Sequence, residues 1–198
     1  MSDEAEQLRL ARQGDLTAFN ALVLQYQSLV FGLCLRQLGD RQAAEDATQD
    51  AFIAAWRGLA GLRGAFRPWL TRIAANACTD QQRRRGRRPS ASLETALEAG
   101  LPEPPDPEPS PEKQALDSEL TRRLQAMLQR LPPDQRLAII LCDLQGFDYR
   151  EIAEVMRCNL GTVKSRIGRG RARLRDLLQR EPELLPGRYR PNSRGEND

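Results

Sequence analysis

Histidine is absent from the 198 residues, and the four cysteines, Cys34, Cys78, Cys142 and Cys158, are scattered without a CxxC pair. Imidazole bases, Cys/His nucleophile pairs and Cys/His zinc sites therefore have no material to form from. The expectation is no metal, no cofactor and no enzyme: no Ser/His constellation occurs either, and the glycines of LGTVKSRIGRG do not make a phosphate-binding loop. Cysteines this far apart, in a chain read as cytoplasmic, argue against a disulfide framework. Inert thiols are the bland reading and redox sensing the alternative. Aromatics make up only 5% of the chain. Long Val/Ile/Thr alternation is missing, so no sheet is expected. The longest uninterrupted apolar runs, such as 137–142, are far too short to span a bilayer. The opening MSDEAEQLRL is acidic and lacks the apolar segment of a signal peptide. A cytoplasmic protein without membrane insertion is expected.

What is present favours helices. Ala, Leu, Arg, Gln and Glu dominate, and these are strong helix formers. The net charge is only +3, but it is unevenly spread. Residues 1–88 carry net +4, residues 89–119 net −7, residues 120–180 net +7 and residues 181–198 net −1. Two basic bodies thus flank an acidic strip. That strip, PSASLETALEAGLPEPPDPEPSP (89–111), holds seven of the 13 prolines. Proline fixes φ and removes backbone donors, so the segment reads as an extended linker. The fold class expected is all-α: two small helical domains, 1–87 and 118–181, joined by a Pro-rich acidic linker over 88–117 and followed by a frayed tail over 182–198. Each domain is near the size at which one core barely suffices, so docking to a larger partner would add stability.

The densest charge lies in NLGTVKSRIGRGRARLR (159–175), with six Lys or Arg and no Asp or Glu. At 100° per residue, Val163, Ile167, Gly170, Leu174 and Leu177 fall on one stripe. Thr162, Ser165, Arg169 and Ala172 fall opposite, with Lys164, Arg171 and Arg175 on one flank and Arg166 and Arg173 on the other. Asn159 suits the cap. Just upstream, DYREIAEVMRC pairs Asp148 with Glu151 in a capping-box pattern and supplies an apolar face. Two short helices with a tight connection, the second one basic, form a helix-turn-helix pattern whose second helix fits a major groove. LQRLPPDQRLAIILCDLQG predicts two supporting helices, broken at Pro132–Pro133. An ordinary solvated helix mixes its charges, and this one does not. Phosphates at high density would offset it.

The run from Leu131 to Leu178 resembles the C-terminal domain of the extracytoplasmic-function sigma factors of the sigma-70 family, most closely at GTVKSRIGRGRARLR. The resemblance implies recognition of duplex DNA at the −35 promoter element, with Thr162, Lys164, Ser165, Arg166, Arg169, Arg171 and Arg173 as contacts. The family often has Gly in the turn where this chain has Arg157.

The first domain separates this reading from a plain helix-turn-helix regulator acting without polymerase, which is the alternative. DRQAAEDATQDAFIAAWRGL (40–59) reads as one helix with Ala47, Ala51, Ala55, Phe52 and Leu59 inward. Glu45, Asp46, Gln49 and Asp50 then make an acidic-polar surface, which by itself could serve only solubility. The segment also resembles the one by which these sigma factors grip a basic coiled coil of core RNA polymerase; that assigns Glu45, Asp46, Gln49, Asp50 and Phe52 to polymerase binding. In FRPWLTRIAANACTDQQRRRGRR, Trp69, Leu70, Ile73, Ala74 and Ala77 form the inward face. Arg72, Asn76, Thr79 and Arg83 line an exposed stripe, with Asp80 at its edge. Arginines near a helix C-terminus also favour the dipole, but five within six positions exceed that need. Asparagine presents donor and acceptor together to a base edge. This segment resembles the family's −10 recognition region, implying contacts to single-stranded −10 DNA from Arg63, Arg72, Asn76, Thr79, Asp80, Arg83 and Arg84. RGLAGLRGAF (57–66) matches a loop that traps a flipped base; its glycines suit mobility. Trp56, Phe66 and Trp69 read more readily as core than as stacking platforms. The acidic linker is either a plain spacer or a nucleic-acid mimic in polymerase channels.

Together the resemblances imply an alternative sigma factor. It would bind core RNA polymerase, read −35 and −10 elements, promote melting, and have an anti-sigma factor as a further partner.

Overall fold

The computed structural model describes residues 3–86 and 111–181, with side chains in 4–85 and 120–181. The expected linker core, Arg87 and Arg88, and the 182–198 tail lie outside the described residues. Eight α-helices and no strands occur among those described: α1 (Asp3–Arg12), α2 (Leu16–Leu38), α3 (Arg41–Gly58), α4 (Phe66–Gly86), α5 (Pro111–Gln129), α6 (Pro133–Ile139), α7 (Tyr149–Met156) and α8 (Leu160–Arg180).

The breaks between helices follow local chemistry. Asp15 accepts from the backbone N–H of Thr17 (2.8 Å) and Ala18 (3.1 Å) and starts α2. Gly39 ends it at φ 73°, a conformation glycine adopts without steric cost, and donates its N–H to Leu35 O (2.8 Å). Asp40 then caps α3 through Ala43 N (2.7 Å). Ala43, Ala44, Ala47, Ala51 and Ala55 are all buried on α3. This alanine face lets α2 and α4 approach closely. Around it, Phe19 packs on Trp56 (4.9 Å between centroids), and Phe66 meets both Tyr26 (5.3 Å) and Trp69 (5.8 Å). The aromatics are core material, with Phe66 2% exposed.

By length and composition alone, α2 could cross a membrane. Asn20, Gln25, Gln27 and Ser28 punctuate its sequence but leave a long apolar helix. Its Leu22, Val30, Leu33 and Cys34 are instead buried within the protein.

Helix α5 starts at Pro111, inside the stretch read as linker. Proline is tolerated in a first helical turn, and the residues after it are good helix formers. Pro132 and Pro133 separate α5 from α6 as expected. A π-helical turn, Ile140–Leu144, extends α6, and no local sequence signal announced it. The capping box of Asp148 and Glu151 opens α7.

The two halves pack on each other. Their buried residues form one contiguous cluster, running from α2, α3 and α4 through Leu128, Leu131, Ile139, Ile152 and Val163. Helices α5 and α6 pack on α2, and α7 packs on α4. The sequence reading provided α4 with one inward face. Thr71, Ala75 and Cys78, beyond that face, are buried too.

Candidate nucleic-acid and polymerase interface

Helix α8 is laid on α6 by its apolar stripe. Val163, Ile167 and Gly170 are buried, and Leu174 packs at the edge. A Cβ at Gly170 would lie 2.8 Å from Ile139 Cγ1, so only glycine allows this approach of α8 to α6. Asn159 Oδ1 accepts from both Thr162 N (2.7 Å) and Thr162 Oγ1 (3.0 Å), while Ser165 Oγ turns back to Thr162 O (3.0 Å). The first turn is thereby rigid, with Lys164 exposed beside it.

The packing sorts the cations of α8 into two classes. Arg166 is drawn back to the platform: its Nε donates to Asp134 Oδ2 (3.0 Å) and its Nη1 lies 3.5 Å from Cys158 Sγ. Arg171 grips Asp143 with two nitrogens, Nε to Oδ2 (3.1 Å) and Nη2 to Oδ1. Hydrogen bonding from Arg171 holds the Asp143 carboxyl below its ordinary range despite partial burial. Lys164, Arg169 and Arg173 are exposed and have no partner among the described residues. Leu160, which the sequence reading missed, is 43% exposed at the start of the same helix. Its signal was an apolar residue off the packing stripe.

The turn before α8 is made by Arg157, at φ 49° and ψ 50°. It is the one non-glycine residue with positive φ among those described. The left-handed region costs an ordinary L-residue about 1 kcal/mol, because Cβ crowds the next carbonyl. Arg157 is exposed, and its backbone N–H completes the α7 end. Arg157→Gly is therefore expected to raise stability in urea denaturation by up to about 1 kcal/mol while −35 binding stays unchanged. A loss of stability would mean that the arginine side chain itself holds the turn.

In the first half, α3 and α4 lie side by side. Asn76, Thr79, Asp80, Arg83 and Arg84 are exposed along α4, and Arg72 is half-buried. Thr79 Oγ1 donates back to Ala75 O (3.0 Å), and Arg83 sits 3.8 Å from Asp80. On α3, Glu45, Asp46, Gln49 and Asp50 are exposed and Phe52 is half-buried. Glu45 is paired with Arg41 (2.8 Å). The structure also joins the two proposed surfaces, with Arg84 3.4 Å from Asp50; beside them Gln81 Nε2 donates to Asp46 Oδ2 (3.2 Å) and Arg85 reaches Asp40 (2.6 Å). Ile53, 42% exposed, adds an apolar spot to the Asp46–Gln49–Asp50 face. Its helical spacing from Asp46 and Gln49 was the overlooked sign.

The loop before α4 is less free than its glycines suggested. Leu59 and Leu62 are buried, Leu59–Gly61 forms a 3₁₀ turn, and Arg12 donates to Leu62 O (3.1 Å). Arg63, Gly64 and Ala65 remain exposed at its tip.

The cysteines are all free thiols. Cys34 and Cys78 meet in the core between α2 and α4, where their mutual hydrogen bond and burial push the Cys78 thiol up, away from the reactive thiolate.

Comparison with known proteins converges on one family. Residues 22–88 match the family described as Sigma-70 region 2, and residues 121–174 match the one described as Sigma-70, region 4. The RNA polymerase sigma-H factor of Pseudomonas aeruginosa is 41% identical over 187 residues, covering 90% of this chain and 96% of that protein. The ECF RNA polymerase sigma-E factor of Escherichia coli K12 is 40% identical, covering 85% and 90%. Among solved structures, CnrH in complex with the cytosolic domain of CnrY superposes with a TM-score of 0.67 at 26% identity, over 91% of this chain and 99% of that one. The sigma factor RpoE in complex with the anti-sigma factor NepR, from Bartonella quintana, gives 0.63 at 28% identity, over 83% and 98%.

Proposed function

The chain belongs to the sigma-70 family, among its extracytoplasmic-function sigma factors, and from that premise we propose how its surfaces divide the work of transcription initiation. As an alternative sigma factor it is an initiation factor that directs core RNA polymerase to promoters, rather than an enzyme. It acts in the cytoplasm, where polymerase and genome are.

The body of α1–α4, residues 1–87, docks on polymerase through Glu45, Asp46, Gln49, Asp50 and Phe52, with Ile53 adding apolar contact. The same body holds the unpaired −10 strand against Arg63, Arg72, Asn76, Thr79, Asp80, Arg83 and Arg84. The C-terminal body inserts α8 into the −35 major groove. There Lys164, Arg169 and Arg173 meet DNA directly, Thr162 and Ser165 order the first turn, and Arg166 and Arg171 are anchored beside the interface. Holding flipped bases favours the open promoter by mass action. CnrH and RpoE were solved with CnrY and the anti-sigma factor NepR, which supports an anti-sigma partner for this chain.

The observation that carries the reading is the presence of both regions in one chain, each with a face of exposed cationic side chains. Run-off transcription with purified core polymerase on a promoter library tests it. New starts that require this protein are expected. Tight operator binding without any association with core would overturn it in favour of a plain regulator. Within that assay, Asn76→Ala should harm −10 discrimination several-fold while core affinity is retained. Equal loss of both would remove Asn76 from the −10 site.

A further inference from the structure

One helix outside the proposed contact surfaces holds the loop that carries Arg63. Helix α1 lies before the 22–88 stretch matched as Sigma-70 region 2, yet it reaches both ends of the 59–65 connection. Ala11 is buried, Leu8 and Leu10 pack against the core, and α1 is thereby seated on α2 and on the 3₁₀ turn. Its last residue, Arg12, turns away from its own helix. Nη2 donates to Leu62 O (3.1 Å) and Ala60 O (3.4 Å), 50 and 48 residues along the chain. The other end of α1 reaches the far side of the loop through one intermediary. Glu4 Oε2 accepts from Tyr26 Oη (2.7 Å) and Gln25 Nε2 (3.2 Å), and the Tyr26 ring meets Phe66 edge-on at 5.3 Å.

The bland account of Arg12 is a cation serving the negative end of α1, as Arg9 does equally well one turn earlier. That account leaves the contacts unexplained, because the guanidinium lies on carbonyls of another segment. Nor is Arg12 core material, since it is exposed. A charged donor bridging two carbonyls two residues apart fixes the path of the backbone between them. That path leads straight into Arg63, Gly64 and Ala65, which are exposed. Gly64 turns at φ 84°, and a Cβ there would meet nothing within 4 Å, so the tip stands clear of the protein at that point. Phe66, 2% exposed, closes the loop on the other side. A three-residue tip between two pinned ends has few conformations, so ordering it on a ligand costs little conformational entropy.

We propose that Arg12 is a positioning residue for −10 recognition: by clamping Ala60 and Leu62 it holds the 59–65 loop, and Arg63 with it, in the arrangement that receives an unpaired base. The inference rests on the sigma-factor reading above and deepens it, because α1 enters promoter reading without touching DNA. Once released, the loop samples other arrangements, and its apparent affinity for the base falls with the fraction of time it is competent.

The test uses holoenzyme assembled from core polymerase and the full chain. The probes are single-stranded oligonucleotides with the non-template −10 sequence of a promoter found by run-off transcription, each base replaced in turn. Arg12→Ala should lower discrimination about 5–10-fold at the base that Arg63→Ala also affects, the loss expected if the released loop is competent about a tenth to a fifth of the time. The double variant should be no worse than Arg63→Ala alone, because residues acting through one contact are not additive. Arg12→Lys should recover part of the loss, since its ammonium still donates to carbonyls. Amide hydrogen exchange at residues 62–65 should quicken in Arg12→Ala while α2–α4 keep their protection and core affinity holds. Circular dichroism checks the fold; if alanine disrupts it, the neutral and shorter Arg12→Gln takes its place with the same expected pattern. A folded variant with wild-type discrimination at every base would overturn the assignment. So would a loss spread evenly over the −10 bases, a loss at a base indifferent to Arg63→Ala, or losses that add to those of Arg63→Ala. If the wild type yields no promoter in run-off at all, the sigma-factor reading itself fails and the inference falls with it.

Discussion

Arg136→Ala is expected to destabilise the protein by about 3 kcal/mol or more, making it the most damaging single change considered. Arg136 is 6% exposed on α6. Its Nε donates to Leu128 O (2.8 Å), Nη2 to Gln129 O (2.8 Å) and Leu131 O (3.0 Å), and Nη1 to Gln129 Oε1 (2.6 Å) and Gln37 O. One planar fork thus ends α5, fixes the α5–α6 turn and reaches α2. Burial pulls the guanidinium pKa down, yet arginine remains charged, and the acceptors around it replace lost hydration. Alanine would strand several buried carbonyls at once, each worth about 1–3 kcal/mol if no water reaches it. The loss is a large share of the roughly 5–15 kcal/mol that ordinarily holds a domain. Urea denaturation followed by circular dichroism measures it. Lysine at 136 should recover only part of the loss, because one ammonium cannot span the same acceptors. An Arg136→Ala protein within about 0.5 kcal/mol of wild type would show that water replaces the fork without cost.

The second large effect concerns α8, and here the structure separates residues that look alike in sequence. Arg169→Ala is expected to weaken −35-dependent binding by the holoenzyme about 10-fold or more, the scale of one good base or phosphate contact. Arg171→Ala should change it little, because the Arg171 guanidinium is already spent on Asp143. Salt titration distinguishes the two further: loss of a phosphate contact lowers the slope of log K against log salt by about 1. That fall is expected for Arg169→Ala and not for Arg171→Ala. Equal effects of the two changes would mean that DNA draws Arg171 away from Asp143, and the sorting would be wrong.

The legible part of this protein was its one-dimensional periodicity. Asp148 and Glu151, Asn159, Pro132–Pro133 and the Val163–Ile167–Gly170 stripe each report on neighbours within a turn or two, and all took the expected places. The exposed positions of Asn76, Thr79 and Asp80, and of Glu45, Asp46 and Asp50, followed the same logic. Arg157 was legible as an oddity, and its left-handed backbone is the physical reason glycine suits that place. Helix α5 begins at Pro111, inside the stretch expected to be linker, because proline is tolerated in a first helical turn.

What the sequence determined alone was therefore the helices from residue 40 onward, the caps at Asp148 and Asn159, the Val163–Ile167–Gly170 stripe and the family of the chain, because such signals lie within a few residues of one another. Only the tertiary structure decided which arginines are free and which are held, and that the helices of the two halves pack together. Asp134 and Arg166, Asp143 and Arg171, and Gln37 and Arg136 are far apart in the chain. Whether such charges and carbonyls meet depends on how whole helices pack, which no local pattern encodes.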